Sequence, residues 1–262
     1  MKRIHLFEIE DQNWFPVWLR SCMTRLMNVM HKLLRTEQEL TKLTSQLLIE
    51  TNSNKIVDYC SGSGGPMIGV VNQLTKKEEF KNLTLTLTDL YPDYSAAIDI
   101  NASSEHIQYL ETPIDATKQH KELTGLRTMV CSFHHMKPKD AKQILTASSQ
   151  EKQPICIFEI SDNSYPTLLW WAAIPFNIIT CLLITPLARP LSIKQLLFTY
   201  IIPIIPICFA WDGAVSNART YTLDDMDILL QGIQSDDYNW KKGVIKGKSK
   251  MLYLIGLPKS NR

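Results

Sequence analysis

The stretch from Lys55 to Val71, KIVDYCSGSGGPMIGVV, allows few folds. An apolar run ends on an acid, Asp58; glycines follow at Gly62, Gly64 and Gly65; Pro66 then opens a second apolar run. A strand, a glycine turn and a helix in that order aim unpaired backbone N–H groups and the positive end of a helix dipole at one place, where a ligand can approach closely. Pro66 suits the first helical turn, where its missing N–H costs little.

The flanking sequence extends this unit into an α/β chain. Apolar positions at helical spacing, among them Leu19, Met23, Leu26 and Met30 and then Leu40, Leu43 and Leu47, predict two helices before the loop. Strand-like runs follow at Leu83–Thr88, Thr128–Phe133 and Ile155–Ile160, separated by helical stretches such as Pro138–Ser148. Strands alternating with helices give a doubly wound, mainly parallel sheet with short right-handed crossovers. The end differs, because Tyr238–Lys246 and Met251–Leu257 are joined by turn residues and predict an antiparallel hairpin at the C-terminal edge.

Two nucleotide loops fit poorly. A phosphate-binding P-loop needs Lys and Ser or Thr after the glycines, and none follows Gly69. A dinucleotide fingerprint starting at Gly62 wants a small residue at Met67. A carboxylate just before the loop repels polyphosphate and attracts a cation. The segment Asp58-Tyr59-Cys60-Ser61-Gly62-Ser63-Gly64 resembles the first motif of class I S-adenosylmethionine-dependent methyltransferases, an acid followed by Gly-x-Gly-x-Gly, with Cys60 replacing the first glycine. Other landmarks follow in that family's order: LTLTLTDLYP with Asp89, ETPIDATK with Asp115, and RTMVCSFHHMKP with His134 and His135. The resemblance covers roughly residues 50 to 160 and 222 to 258. A looser one is to bacterial methyltransferase-like proteins that carry an N-terminal WFP helix and an apolar hairpin, of unknown substrate.

The resemblance implies a Rossmann-like sheet and S-adenosyl-L-methionine as cofactor. It implies cofactor contacts from Asp58, Cys60, Ser61, Gly62 and Gly64 in the loop, from Asp89 to the ribose hydroxyls with Leu90 and Tyr91 beside it, from Asp115 and Ala116 near the adenine, and from Ser132. Without a ligand, Asp115 reads as a helix cap and the Tyr91-Pro92 pair as a simple turn. Methyl transfer mainly requires alignment of donor and acceptor. A base helps if the acceptor carries a proton, and His134 and His135 leave a parallel strand at its carboxyl end, where open α/β sheets bind ligands. Glu159 ends the next strand on the same edge, placed for a polar acceptor or a structural hydrogen bond.

Between Ile160 and Thr222 the composition changes abruptly. No charged residue occurs from Asn163 to Ala188 or from Gln195 to Trp211, and only Arg189 and Lys194 separate the two blocks. The first block is long enough to cross a bilayer, though Pro175 and Pro186 interrupt it; the second is short and holds Pro203 and Pro206. Surfaces apolar on every side disfavour a surface helix of a soluble domain. The expectation is a membrane-embedded hairpin, monotopic or two-span, with the catalytic domain on the cytoplasmic face and membrane lipid and a lipophilic small molecule as partners. An apolar arm buried in a homodimer is the alternative. Trp14, Phe15 and Trp18 would join the anchor as interfacial aromatics or pack in the core.

The division predicted is an N-terminal helical cover over 1–50, a methyltransferase-like domain over 51–162 and 222–262, and the apolar insertion over 163–221. A net charge of +2 in mixed order argues against a nucleic-acid partner. Six cysteines without CxxC spacing point to a reducing compartment and give no metal site. Two functions remain open: a membrane-associated methyltransferase, or a non-catalytic protein of the same fold that docks or assembles at a membrane.

Overall fold

The computed structural model describes residues 1–259. The chain forms two compact units, one from Met1–Arg35 with Ser161–Thr222, the other from Thr36–Ile160 with the residues from Leu223 onward.

In the second unit, α2 (Thr36–Thr51) precedes β1 (Lys55–Tyr59), and the glycine turn leads into α3 (Met67–Leu74), with Val70 N donating to the Pro66 carbonyl at 3.2 Å. Then come β2 (Thr84–Thr88), α4 (Tyr94–Ser103), β3 (Ile107–Tyr109), β4 (Leu126–Val130), α5 (Pro138–Gln150), β5 (Ile155–Glu159), α9 (Leu223–Leu230), β6 (Tyr238–Lys246) and β7 (Lys250–Pro258). The sheet order is β3-β2-β1-β4-β5-β7-β6. The first five strands are parallel, and β7 runs antiparallel to both β5 and β6. This is the expected parallel sheet with its reversed edge. β5 is buried along its whole length, as a strand covered on both faces must be, which explains its apolar run Ile155–Phe158; β4 is nearly as buried and holds Arg127 and Thr128 inside.

The strand order turns back between β1 and β4. At such a switch point the crossovers leave in opposite directions and open a crevice at the carboxyl ends of the strands. Register sets the residues there: Tyr59 of β1 pairs with Thr88 of β2, and Val130 of β4 with Phe158 of β5. The residues that follow these strand ends are Cys60, Asp89, Cys131 and Ile160.

The first unit is helical: α1 (Val17–Leu34), α6 (Ala173–Ile184), α7 (Ile193–Leu196) and α8 (Ile204–Arg219). A short 3-10 segment, Thr167–Ala172, leads into α6, and a π turn, Leu197–Ile201, precedes α8. Phe15, Leu19, Cys22, Met23 and Leu26 pack with Cys181, Ile184, Ile205 and Phe209 in one apolar cluster. Both charge-free blocks are therefore helical and lie antiparallel in sequence order as a hairpin backed by α1. Of the N-terminal aromatics, Phe15 is core, Trp18 packs partly buried against Phe198, and Trp14 is exposed.

Candidate active site

The loop after β1 is held by its neighbours rather than by its own length. Ser61 N donates to the Thr88 carbonyl at 3.0 Å, and Thr88 Oγ1 donates to the Asp58 carbonyl at 3.0 Å, so the ends of β1 and β2 are knit together. Cys60 takes φ +57°, the left-handed conformation that glycine adopts at little cost. Backbone geometry thus accounts for a glycine at this place in the family motif, and here a cysteine is held in the same conformation. Gly64, at φ +110°, would carry a side chain only with backbone strain, and a Cβ there would lie 2.5 Å from Ile68 Cδ1, which would have to move.

Asp58 is buried beneath the loop. Its Oδ1 accepts from Thr128 Oγ1 at 2.6 Å and its Oδ2 from Ser61 Oγ at 2.7 Å. Burial dominates these two hydrogen bonds and pushes the carboxyl up to about 7, with the Asp89 carboxylate adding to the rise. Asp89 faces the loop, accepting from Gly62 N at 2.9 Å on Oδ2 and from Tyr91 N at 2.9 Å on Oδ1. Ile114 N donates to the Asp89 carbonyl at 2.8 Å and brings the Asp115 segment alongside. Asp115 accepts from Thr117 N at 3.0 Å and Thr117 Oγ1 at 2.6 Å, which hold its carboxyl below the usual range. It caps a short turn, closed by Lys118 N donating to the Asp115 carbonyl at 3.0 Å, where a helix cap was expected. The Cys60 thiol is pushed up by burial first and then by the Asp89, Asp58 and Asp115 carboxylates. One thiol therefore senses all three acids.

Leu90 and Tyr91 are exposed beside Asp89, and Ala116 is half-buried beside Asp115. Ser132 is buried, and its Oγ has no hydrogen-bond partner among the described residues.

The histidines lie in a short 3-10 turn, Phe133–His135, after β4. Glu159, at the end of β5, takes hold of His134 twice: Oε1 accepts from the His134 backbone N at 3.0 Å, and Oε2 lies 2.9 Å from Nδ1. Both residues are buried. A carboxylate facing Nδ1 keeps the proton there and assigns the basic lone pair to Nε2. The His135 ring lies 4.3 Å from that of His134, centroid to centroid, and is half-buried. Glu159 thus sits as the orienting partner of His134.

Three further residues at this edge belong to no motif in the sequence. The Tyr109 hydroxyl, at the end of β3, donates to the Gly62 carbonyl at 2.7 Å and accepts from Asp93 N at 3.3 Å. Asp93 caps α4 through Ala96 N and accepts from Ser63 Oγ at 2.9 Å. Thr128 binds Asp58 from the middle of β4. A groove of about 960 Å³ lies elsewhere, at the edge where β1 and β5 begin, and includes none of these residues.

No protein-family model and no curated protein sequence matches the chain. Solved structures do. The plantazolicin methyltransferase BpumL, in complex with SAH, is similar with a TM-score of 0.59 and 12% identity, over 95% of this chain and 93% of the other. An O-methyltransferase family protein from Burkholderia thailandensis has a TM-score of 0.50 and 14% identity, over 88% of this chain and 58% of the other. The fold is that of the class I methyltransferases. The methyltransferase domain of bacterial-CtHen1-C also shares it, with a TM-score of 0.50 and 10% identity, over 87% of this chain and 100% of the other. In a methyltransferase fold, the edge that carries Asp58, Asp89, Asp115 and His134 is the carboxyl edge of the parallel strands, the ligand edge of any open α/β sheet.

Proposed function

We propose that the protein is an S-adenosylmethionine-dependent methyltransferase, associated with a membrane, that methylates a lipophilic small-molecule acceptor. The observation that carries the reading is the set of three carboxylates, Asp58, Asp89 and Asp115, gathered around a glycine loop and one thiol. Such a donor set suits a ligand that is cationic and free of phosphate. The unpartnered Ser132 hydroxyl at the same edge supports it, since a buried polar atom without a partner is costly unless a ligand completes it.

The cofactor supplies a methyl group already activated by its sulfonium. Asp89 suits the ribose, because each carboxylate oxygen keeps a second lone pair after accepting its backbone N–H. Asp58 places negative charge under the loop, and Leu90, Tyr91 and Ala116 offer surface for a flat base. His134 is the proton acceptor for a hydroxyl, phenol or amine, through Nε2. Glu159 positions it and offsets the charge that the ring acquires. His135 packs on the ring and limits its rotation.

The lipophilic acceptor and the membrane rest on the first unit. Thr167–Leu187 is long and apolar enough to cross a membrane, and Ile193–Ile201 with Ile204–Arg219 passes the same test as a pair bent by 80°. Asn163 Nδ2 donates to the Thr220 carbonyl at 2.9 Å, so the apolar stretch leaves and returns at one place. That supports a catalytic unit lying wholly on one side of the membrane; the cytoplasmic side is our proposal.

The test is methyl transfer. Purified protein, S-adenosylmethionine with an isotopically labelled methyl group and a total lipid extract should yield a labelled lipid-soluble product by mass spectrometry. Cofactor binding with no labelled product, from lipid or aqueous extracts, would instead favour a non-catalytic binding module.

A further inference from the structure

We infer that the protein docks on one leaflet of a bilayer, in the membrane plane, through the outer face of α6 and the turn that follows it, and that no helix crosses. This deepens the membrane association proposed above and rests on it.

The face is a continuous stripe. Leu168, Ala172, Phe176, Ile179, Leu183 and Leu187 recur at helical spacing, all exposed, with Leu168 at 87%, Phe176 at 66% and Leu183 at 72%. Ile193 at 84% and Ile201 at 74% continue apolar exposure beyond the turn. From Leu168 to Leu187 the stripe extends about 28 Å at helical rise. Apolar surface this continuous calls for a partner. The opposite side of α6 already has one: Cys181 and Ile184 are buried in the cluster with α1 and α8.

Three observations choose a leaflet over a crossing. First, α1 is amphipathic and packs along the hairpin, carrying Arg20, Arg25, His31 and Lys32 into the same unit. Gln195, near the tip, donates to the Cys22 carbonyl of α1 at 3.5 Å, and Lys194 lies 5.7 Å from the Trp18 ring centre. A tip clasped by a charged helix cannot reach the far head groups without dragging those charges into hydrocarbon. Second, the last half of α8 is polar inside. Asp212 accepts from Ile9 N at 2.6 Å and Glu10 N at 3.1 Å, and Arg219 pairs with Glu8 at 2.8 Å and Asp11 at 3.2 Å. Third, the second block bends by 80° at Pro203, which shortens its reach along any one axis. An apolar face on one side and a charged helix on the other is the anatomy of an interfacial element, seated a few ångströms into the acyl boundary.

The experiment uses the full chain and sealed phosphatidylcholine vesicles, with and without phosphatidylglycerol, enclosing a membrane-impermeant amine reagent. The protein should float with vesicles of both kinds, while Lys194 stays unmodified by mass spectrometry. Phe176→Glu with Leu183→Glu should lower the partition coefficient by roughly a hundredfold or more, because each change removes a large apolar side chain from the acyl boundary and puts a charge in its place. Both side chains are exposed, so circular dichroism and SAH affinity should stay unchanged. Removing the whole hairpin would be a poorer variant, since it would uncover Leu19, Met23 and Leu26 of α1. Modification of Lys194 from the vesicle interior would overturn in-plane docking and leave membrane association standing. Failure to float would remove both, and a discrete dimer in that sample would assign the face to a second copy.

Discussion

The edge of the sheet around Asp89 and the outer face of α6 are both exposed, and they are built in opposite ways. At the sheet edge nearly every polar group is placed by another: Asp58 by Thr128 and Ser61, Asp89 by two backbone N–H groups, His134 by Glu159. On α6 the outward face is almost wholly apolar, and its polar groups are turned inward to the helix itself, as Thr180 Oγ1 is in donating to the Phe176 carbonyl at 2.9 Å. Fixed dipoles recognise one ligand in one orientation. A uniform apolar surface recognises a phase. If the proposed function holds, specificity resides in the sheet unit and location in the helical one, and the two should fail separately.

The largest separable effect should come from the proton acceptor. His134→Ala should lower turnover by about 10² to 10⁴, the range for a positioned acid or base, with SAH affinity unchanged. Glu159→Gln should give a smaller loss, since the amide still reaches the His134 turn but no longer offsets the charge the ring acquires in proton transfer. If neither variant changes turnover, the acceptor needs no base and this part of the edge is structural.

Asp89→Ala comes next. It removes the carboxylate that faces the glycine loop and should weaken SAH binding by about 1.5–3 kcal/mol, as for hydrogen bonds to charged groups. Vesicle partition should not change. A coupled loss of both would break the comparison.

A pH effect sharpens it further. The Asp58 carboxyl titrates near 7 in the folded chain, against an ordinary value of 3.8. Between about pH 4 and 7 the folded state therefore holds a proton that the unfolded chain has lost, so this group's contribution to stability declines as pH rises through that window and is level above it. Affinity for a cationic ligand runs the other way, rising up to pH 7 as the carboxylate forms. Titrations of S-adenosylmethionine from pH 5.5 to 8 should show that rise, and Asp58→Asn should flatten it.

The smallest effect concerns Cys60. At φ +57° a side chain is strained, so Cys60→Gly should exceed Cys60→Ala in stability by about 1 kcal/mol in chemical denaturation. Equal stabilities would show that the neighbouring acids, rather than the backbone, decide this position.

Much of the fold was legible because its signals are local. The runs of β1, β2 and β5 and the glycine turn with Pro66 state their conformations within a few residues; β4, expected over Thr128–Phe133, spans Leu126–Val130, and in the C-terminal hairpin β7 extends one residue further at each end, Lys250–Pro258. β3 was missed: at three residues, Ile107–Tyr109, it is too short for any period to show. The acids were legible as a family pattern, whereas Tyr109, Asp93 and Thr128 were not, because their partners lie far along the chain and only the assembled sheet brings them within reach. The grip of Glu159 on His134 was hidden for the same reason. In the helical unit, periodicity marks which face of α1 is apolar and says nothing of what covers it. That α6 and α8 do so emerges only from packing.

The central claim is that the polar edge binds S-adenosylmethionine irrespective of what the apolar face does, and calorimetric titration of SAH into the intact protein, with the apolar face satisfied by detergent, tests it most directly. The account predicts saturable one-site binding that survives Phe176→Glu with Leu183→Glu and is strongly weakened by Asp89→Ala. No heat of binding from folded protein across pH 6 to 8, confirmed by the absence of any thermal shift with excess ligand, would contradict it.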